Sequence, residues 1–238
     1  MRQAGQERIL VVGAHPDDAD FGAGGTVALW TDSGAVVTYL VATDGQEGGP
    51  DRVRDGRRLA QVRRLEQRAA AAALGVSDVR FLGGLDGRLT PSHELVAGIA
   101  AAMARLRPHR VVTHSPERDW GRIKTSHPDH LATGDAVLRA LFQGAGHIVR
   151  RSTEWGHCSG VASSIETVWM FGSPTPNTFI DFTELAPRKA AALSAHASQV
   201  GLLGDLFQLV QARGRRTAAA AGFGPDVLME AFNVVRVD

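Results

Sequence analysis

Thiols and an excess of charge of either sign are what this sequence lacks. Its 238 residues include a single cysteine, Cys158, so neither an internal disulfide framework nor a cysteine-based structural zinc site can form. Any metal ion would have to be held by histidine and carboxylate. With 26 Lys+Arg against 25 Asp+Glu the formal net charge is +1. That provides no global attraction to nucleic acid or an anionic membrane, so a charged partner must be recognised locally, and a small molecule is expected. Lysine occurs only as Lys124 and Lys189, so the basic side chains are almost all arginine. Long apolar runs are missing as well. The stretch within "MRQAGQERILVVGAH" is too short for a signal-peptide core, and nothing later approaches a membrane span. A cytoplasmic protein without membrane insertion is the expectation, with homo-oligomer formation left open.

What is present is an alternation of strand and helix patterns. "RILVVGA" (8–14) and "GAVVTYLVAT" (34–43) are short, β-branched apolar runs of the kind covered on both faces, and "GGTVALWTDSG" between them reads as a helix closed by Gly34. A long Arg/Ala/Leu helix over 52–75 follows, its seven arginines from Arg52 to Arg68 read as a solvated face, and then the strand "DVRFL" (78–82). "ELVAGIAAAMARLR" predicts a helix stopped before Pro108, "RVVTH" (110–114) a strand, and "HPDHLATGDAVLRALF" a helix with Pro128 in its first turn. Two late strands, "IETVWMF" and "NTFIDFT", two helical patterns over 184–199 and 202–221, and a final "EAFNVVRV" complete the chain. The pattern predicts an α/β fold, a doubly wound and mostly parallel sheet flanked by helices, as one domain over 1–238.

Two His-Pro-Asp elements stand where such a sheet places its ligands, beyond the carboxyl ends of strands. "AHPDDAD" follows the first strand, and "SHPDH" lies one loop beyond "RVVTH". A catalytic zinc needs about three His or carboxylate ligands and an open position. His15 and Asp18 are close enough in a turn to converge on one ion, and His127 and His130 share a helix face at i,i+3. The remaining acids and histidine supply what hydrolysis requires besides the metal: a base, an acid and an orienting partner.

"AHPDDADFGAGGT" together with "HPDH" resembles the LmbE-like, or PIG-L, family of zinc-dependent N-deacetylases, and the likeness extends through "RRLEQRAAAAALGV", "DGRL", "RKAAALSAHASQ" and "MEAF". The resemblance implies a Rossmann-like fold, a Zn2+ cofactor and removal of the acetyl group from an N-acetylglucosamine-type conjugate. It assigns the metal to His15, Asp18 and His130, and makes Asp17 the general base. His127 becomes the second catalytic histidine, with Asp129 holding its imidazolium through a hydrogen bond. Arg63 and Asp86 match positions that bind substrate hydroxyls or order the pocket, and His196 matches a position that closes the site from a late helix, with a core or helix-surface histidine as the alternative. The chain departs from the commoner AHPDDE pattern: Ala19 takes the glutamate position, and Asp20, one residue on, is given no catalytic role.

Other readings are a zinc amidase acting on a non-sugar or thiol-conjugate amide and a catalytically silent ligand-binding protein of the same fold. Retention of every ligand and of Asp17 argues for turnover. "GHCSG" (156–160) fits a nucleophile elbow at Cys158, but "RRSTEW" before it is no buried strand, which an elbow needs. The glycines at 22, 24 and 25 lack the full phosphate-loop spacing and stand beside three aspartates. They are expected to let the first helix pack closely against the metal loop. His93, His109, His114, His147 and His157 are read as ordinary core or surface histidines, and the loop carrying Trp120 and Arg122 as either a lining of the acceptor side or a plain surface loop.

Overall fold

The computed structural model describes residues 6–48, 55–143 and 164–237. In chain order the elements are β1 (Arg8–Gly13), α1 (Asp18–Asp32), β2 (Val36–Thr43), α2 (Gly56–Ala73), β3 (Asp78–Gly84), α3 (His93–Leu106), β4 (Arg110–His114), α4 (Pro128–Leu141), β5 (Thr167–Phe171), β6 (Thr178–Asp181), α5 (Ala186–Ser194), α6 (Ala197–Val200), α7 (Leu206–Ala220) and β7 (Met229–Arg236). Among the described residues the strands form one seven-stranded sheet, ordered β3-β2-β1-β4-β5-β7-β6. β1 pairs in parallel with both β2 and β4, β4 with β5, and β7 runs antiparallel between β5 and β6. The chain steps outward from β1 to β3, then returns past β1 to β4. The loops leaving β1 and β4 therefore diverge and open a crevice at the carboxyl end of the sheet.

Side-chain parity along β1 builds both halves of the core. Leu10 and Val12 join the α3 and α4 side with Ile99, Met103, Ala136 and Val137, whereas Ile9 and Val11 join the α1 and α2 side with Val27, Trp30, Ala70 and Leu74. A third cluster, with Phe182, Leu193 and Val210, seats α5 and α7.

The helix ends follow local chemistry. Ser92 caps α3 by accepting from the Leu95 N–H, and α3 stops at Arg107 in the left-handed region, directly before Pro108. α1 departs from expectation: it starts at Asp18 and runs straight through Gly22, Gly24 and Gly25. These glycines are packing surface rather than a helix start or a phosphate cradle. A Cβ on Gly22 would lie 2.5 Å from the Phe171 ring, and one on Gly25 2.5 Å from Phe182. They bring α1 against β5 and the segment after β6, not against the metal loop. The helical pattern over 184–199 is also broken, at Ala195–His196, into α5 and α6.

Candidate metal centre

Three segments reach the same sheet edge. The turn after β1 carries His15 to Asp18, the loop after β3 carries Asp86, and β4 ends on His114. The start of α4 adds His127 as N-cap, then Asp129 and His130. Asp18 is central. Its Oδ2 accepts from the His15 backbone N–H at 2.6 Å and lies 3.1 Å from His114 Nε2, while Oδ1 is 3.1 Å from His130 Nε2. His15 Nδ1 is 3.4 Å from the same carboxylate. Burial disfavours the charged form of Asp18, but His114 and His130 outweigh it and hold the carboxyl well below its usual range.

His15 is fixed from behind. Its Nε2 lies 3.0 Å from Asp86 Oδ1 and 3.1 Å from Asp129 Oδ2. Both acids are oriented by backbone donors: Glu47 N–H to Asp86, and Gly87 and Leu89 N–H to Asp129. Carboxylates on one ring nitrogen leave the other free to take a metal, the arrangement by which outer partners orient a metal-binding histidine. Burial opposes protonation of His15, yet Asp129, Asp18 and Asp86 together push its pKa up to about 12. The cluster calls for a positive charge, whether proton or metal ion. Among the described residues, ligand atoms close enough to share an ion occur in three overlapping sets: His15, His127 and His130; Asp18, His114 and His130; His15, Asp86 and Asp129.

Asp17 stands beside this cluster with a left-handed backbone, φ 100°, and although it is the N-cap of α1 its side chain makes no capping bond. Its carboxylate faces Arg63 Nη2 at 3.5 Å. Burial, then the charge of Asp18, raise its pKa to about 7 against the opposing pull of Arg63. A carboxylate poised near neutrality can both take and return a proton.

Several expectations are corrected by the geometry. The Asp129 carboxylate serves His15, not His127. What meets His127 is the Asp129 backbone N–H, which donates to Nδ1 at 3.2 Å. The bond follows from α4 starting at Pro128, which puts His127 in the capping position. The exposed His127 ring therefore carries its proton on Nε2, a tautomer assigned from this bond. Burial, with His15 and His130 nearby, lowers its pKa, so the ring is a neutral donor rather than an imidazolium. His196 has no exposed surface and its Nε2 is 2.8 Å from Asp20 Oδ2, so it is a core histidine. Arg63, also buried, donates to the Gly45 and Pro16 carbonyls, which fits ordering of the pocket rather than contact with substrate hydroxyls. Asp86 likewise spends one oxygen on His15 and the other on Glu47 N–H.

His114, read from sequence as ordinary, belongs to the cluster. The available signal was its place as last residue of β4, the strand beside β1 at the crevice. Burial lowers its pKa to about 4, so it stays neutral. Of the α2 arginines, Arg57, Arg58 and Arg68 are exposed as expected, Arg64 is half-buried against Asp44, and Arg63 is buried. Arg52, Arg54, His147, His157 and the Cys158 motif lie outside the described residues.

The chain combines a mostly parallel α/β sheet with a histidine–carboxylate cluster at its switch point that could hold a metal ion. The chain belongs to the PIG-L family: the profile for GlcNAc-PI de-N-acetylase matches residues 10–141. That stretch runs from β1 to the end of α4 and contains the whole cluster. Among relatives, a probable N-acetyl-alpha-D-glucosaminyl L-malate deacetylase 2 of Bacillus cereus is 33% identical over 199 residues, covering 82% of this chain and 84% of the relative. Diacetylchitobiose deacetylase of Thermococcus kodakarensis is 32% identical over 194 residues, covering 81% and 70%. The solved N,N'-diacetylchitobiose deacetylase of Pyrococcus horikoshii, complexed with its inhibitor, aligns with a TM-score of 0.84 at 25% identity over 96% of this chain and 84% of that one. Among the described residues no helix is long and apolar enough to cross a membrane.

Proposed function

We propose that this chain is a zinc-dependent N-deacetylase that hydrolyses the acetamide of a small N-acetylglucosamine-type conjugate. The observation that carries the reading is Asp17: a carboxylate raised to about 7, free of capping duty, next to a ligand cluster that demands a cation. His15, Asp18 and His130 would hold the ion, a hard and borderline donor set suited to zinc, with His114 beside Asp18. Zinc, when bound, supplies Lewis acidity and makes hydroxide available at neutral pH.

The remaining steps belong to the chain. Asp17 accepts the proton of the attacking water. His127, neutral and exposed, donates its Nε2–H to the oxygen that becomes negative as the carbonyl turns tetrahedral. Asp17 then returns its proton to the departing nitrogen, because an amide anion is too poor a leaving group to depart alone, and amine and acetate result. Asp129 and Asp86 keep His15 in register, and Arg63 orders the Pro16–Asp17 turn. The relatives' substrates, an N-acetylglucosaminyl malate and diacetylchitobiose by their names, support the sugar conjugate.

The test is amine release from a panel of N-acetylglucosamine conjugates, using protein of known zinc content, with and without chelator. Chelator-sensitive release is expected. Asp17→Asn should keep zinc and lose most turnover, and Asp18→Ala should lose the metal. Equal metal content and activity in the two variants would refute the assignment, and full zinc occupancy without turnover on any conjugate would discard the sugar substrate.

A further inference from the structure

We propose that Gln67 is a positioning residue for this hydrolysis, holding Asp17 in its left-handed backbone conformation by accepting a hydrogen bond from the Asp17 N–H. The inference rests on the role given to Asp17 above.

A left-handed conformation is unfavourable for a residue other than glycine and persists only where its surroundings impose it. At Asp17 the imposing element is α2. Arg63 and Gln67 are i,i+4 on that helix and so share a face. Arg63 Nη2 donates to the Pro16 carbonyl at 2.6 Å, and Gln67 Oε1 accepts from the Asp17 N–H at 2.8 Å. Those two groups are the opposite sides of one peptide unit. Gripped at both, the plane cannot rotate, and its orientation sets the φ of 100° at Asp17.

The Gln67 amide has no freedom to flip. Its Nε2 donates at 2.8 Å to Asp20 Oδ2, an acceptor only, which directs Oε1 to Asp17. Asp20 is itself locked: His196 Nε2 is 2.8 Å from the same oxygen, and the Tyr39 hydroxyl donates to Oδ1 at 3.3 Å. Asp20, His196 and Tyr39 have no exposed surface, and Gln67 almost none. Side chains from α2, α1, β2 and the start of α6 thus converge on a single backbone N–H at the site. This gives Asp20 and His196 a use that neither metal binding nor substrate contact supplies. Asp18 is anchored separately by the His15 N–H, so loss of Gln67 releases Asp17 without releasing the ligand.

Gln67→Leu should lower kcat about 10- to 100-fold, the usual range for removing an outer positioning partner, with KM and zinc content unchanged. Combined with Asp17→Asn it should cause no further loss of kcat, since its effect passes through the Asp17 carboxylate. Gln67→Met, which keeps length without a donor or acceptor, replaces it if the leucine variant does not fold. In the zinc-loaded wild type, amide hydrogen exchange at the Asp17 N–H should be slow. Wild-type kcat in Gln67→Leu, additive losses in the double variant, or unprotected exchange at Asp17 would each overturn the positioning role. Full activity in Asp17→Asn would instead overturn the base assignment on which it rests.

Discussion

Stripping the metal should make the stability of this protein fall with pH, and the slope can be worked from His15. Its folded pKa is raised from an ordinary 6.5 to about 12, so the stabilisation from its proton is fully present below 6.5 and is lost as pH rises toward about 12. Between those limits His15 gives the folded chain one proton more than the unfolded chain, and each pH unit withdraws about 1.4 kcal/mol; His130, raised by Asp18 against its burial, and Asp17, raised to about 7, add to the fall near neutrality. Going from about pH 7 to about pH 9 therefore removes about 2.7 kcal/mol, or a drop in Tm of about 5 to 11 °C at 2–4 °C per kcal/mol for a chain of this size. With zinc bound the proton is displaced and this slope vanishes. The contribution of His196, raised by Asp20 against its burial, is common to both forms and cancels in the difference. The assay is thermal unfolding across that range, in chelator and with saturating zinc, with His15→Gln as a control that should flatten the metal-free curve. Parallel curves for the two forms would refute the reasoning.

Three further outcomes follow from the packing around the site. Lys189 and Glu230 form a buried pair at 2.5 Å that clamps α1, the lysine donating to the Phe21 carbonyl and the glutamate accepting from Gly25 N–H, Thr26 N–H and Thr26 Oγ1. Lys189→Met strands the carboxylate and should cost about 3–5 kcal/mol in urea unfolding, with part recovered by adding Glu230→Gln; a loss below about 1 kcal/mol would show the pair to be dispensable. Gly134→Ala puts a Cβ 2.5 Å from the His114 carbonyl and 2.9 Å from Pro116 N, both backbone, so α4 must shift. It should destabilise by about 1–3 kcal/mol and weaken zinc binding, since α4 carries His130; unchanged zinc affinity would contradict this. His114→Ala should reduce zinc affinity about 10- to 100-fold in a competition titration, and an unchanged affinity would make its contact with Asp18 incidental.

The chain makes its fold legible where pattern and burial agree. The apolar runs that became β1, β2 and β4 are short, β-branched and covered on both faces, and Gly75 and Pro108 mark the ends of α2 and α3. The start of α1 was not legible, because glycine is a poor helix former and its use here is the approach of Phe171 and Phe182 from elements far along the chain. The ligand turn could be read because "AHPDD" and "HPDH" concentrate donors within a few residues. The partners of those donors could not. Asp129 faces His15 across 114 positions of sequence and Asp20 meets His196 across 176.

By itself, then, the sequence determined most of the element order and the crowding of histidine and carboxylate at two strand ends. These are properties of local periodicity and spacing. Tertiary structure alone decided which nitrogen each histidine keeps free, that His114 joins the cluster, that Asp129 serves His15, and that α2 grips the peptide before Asp17. Each depends on a hydrogen bond a few ångströms long between segments that only the winding of the sheet brings together.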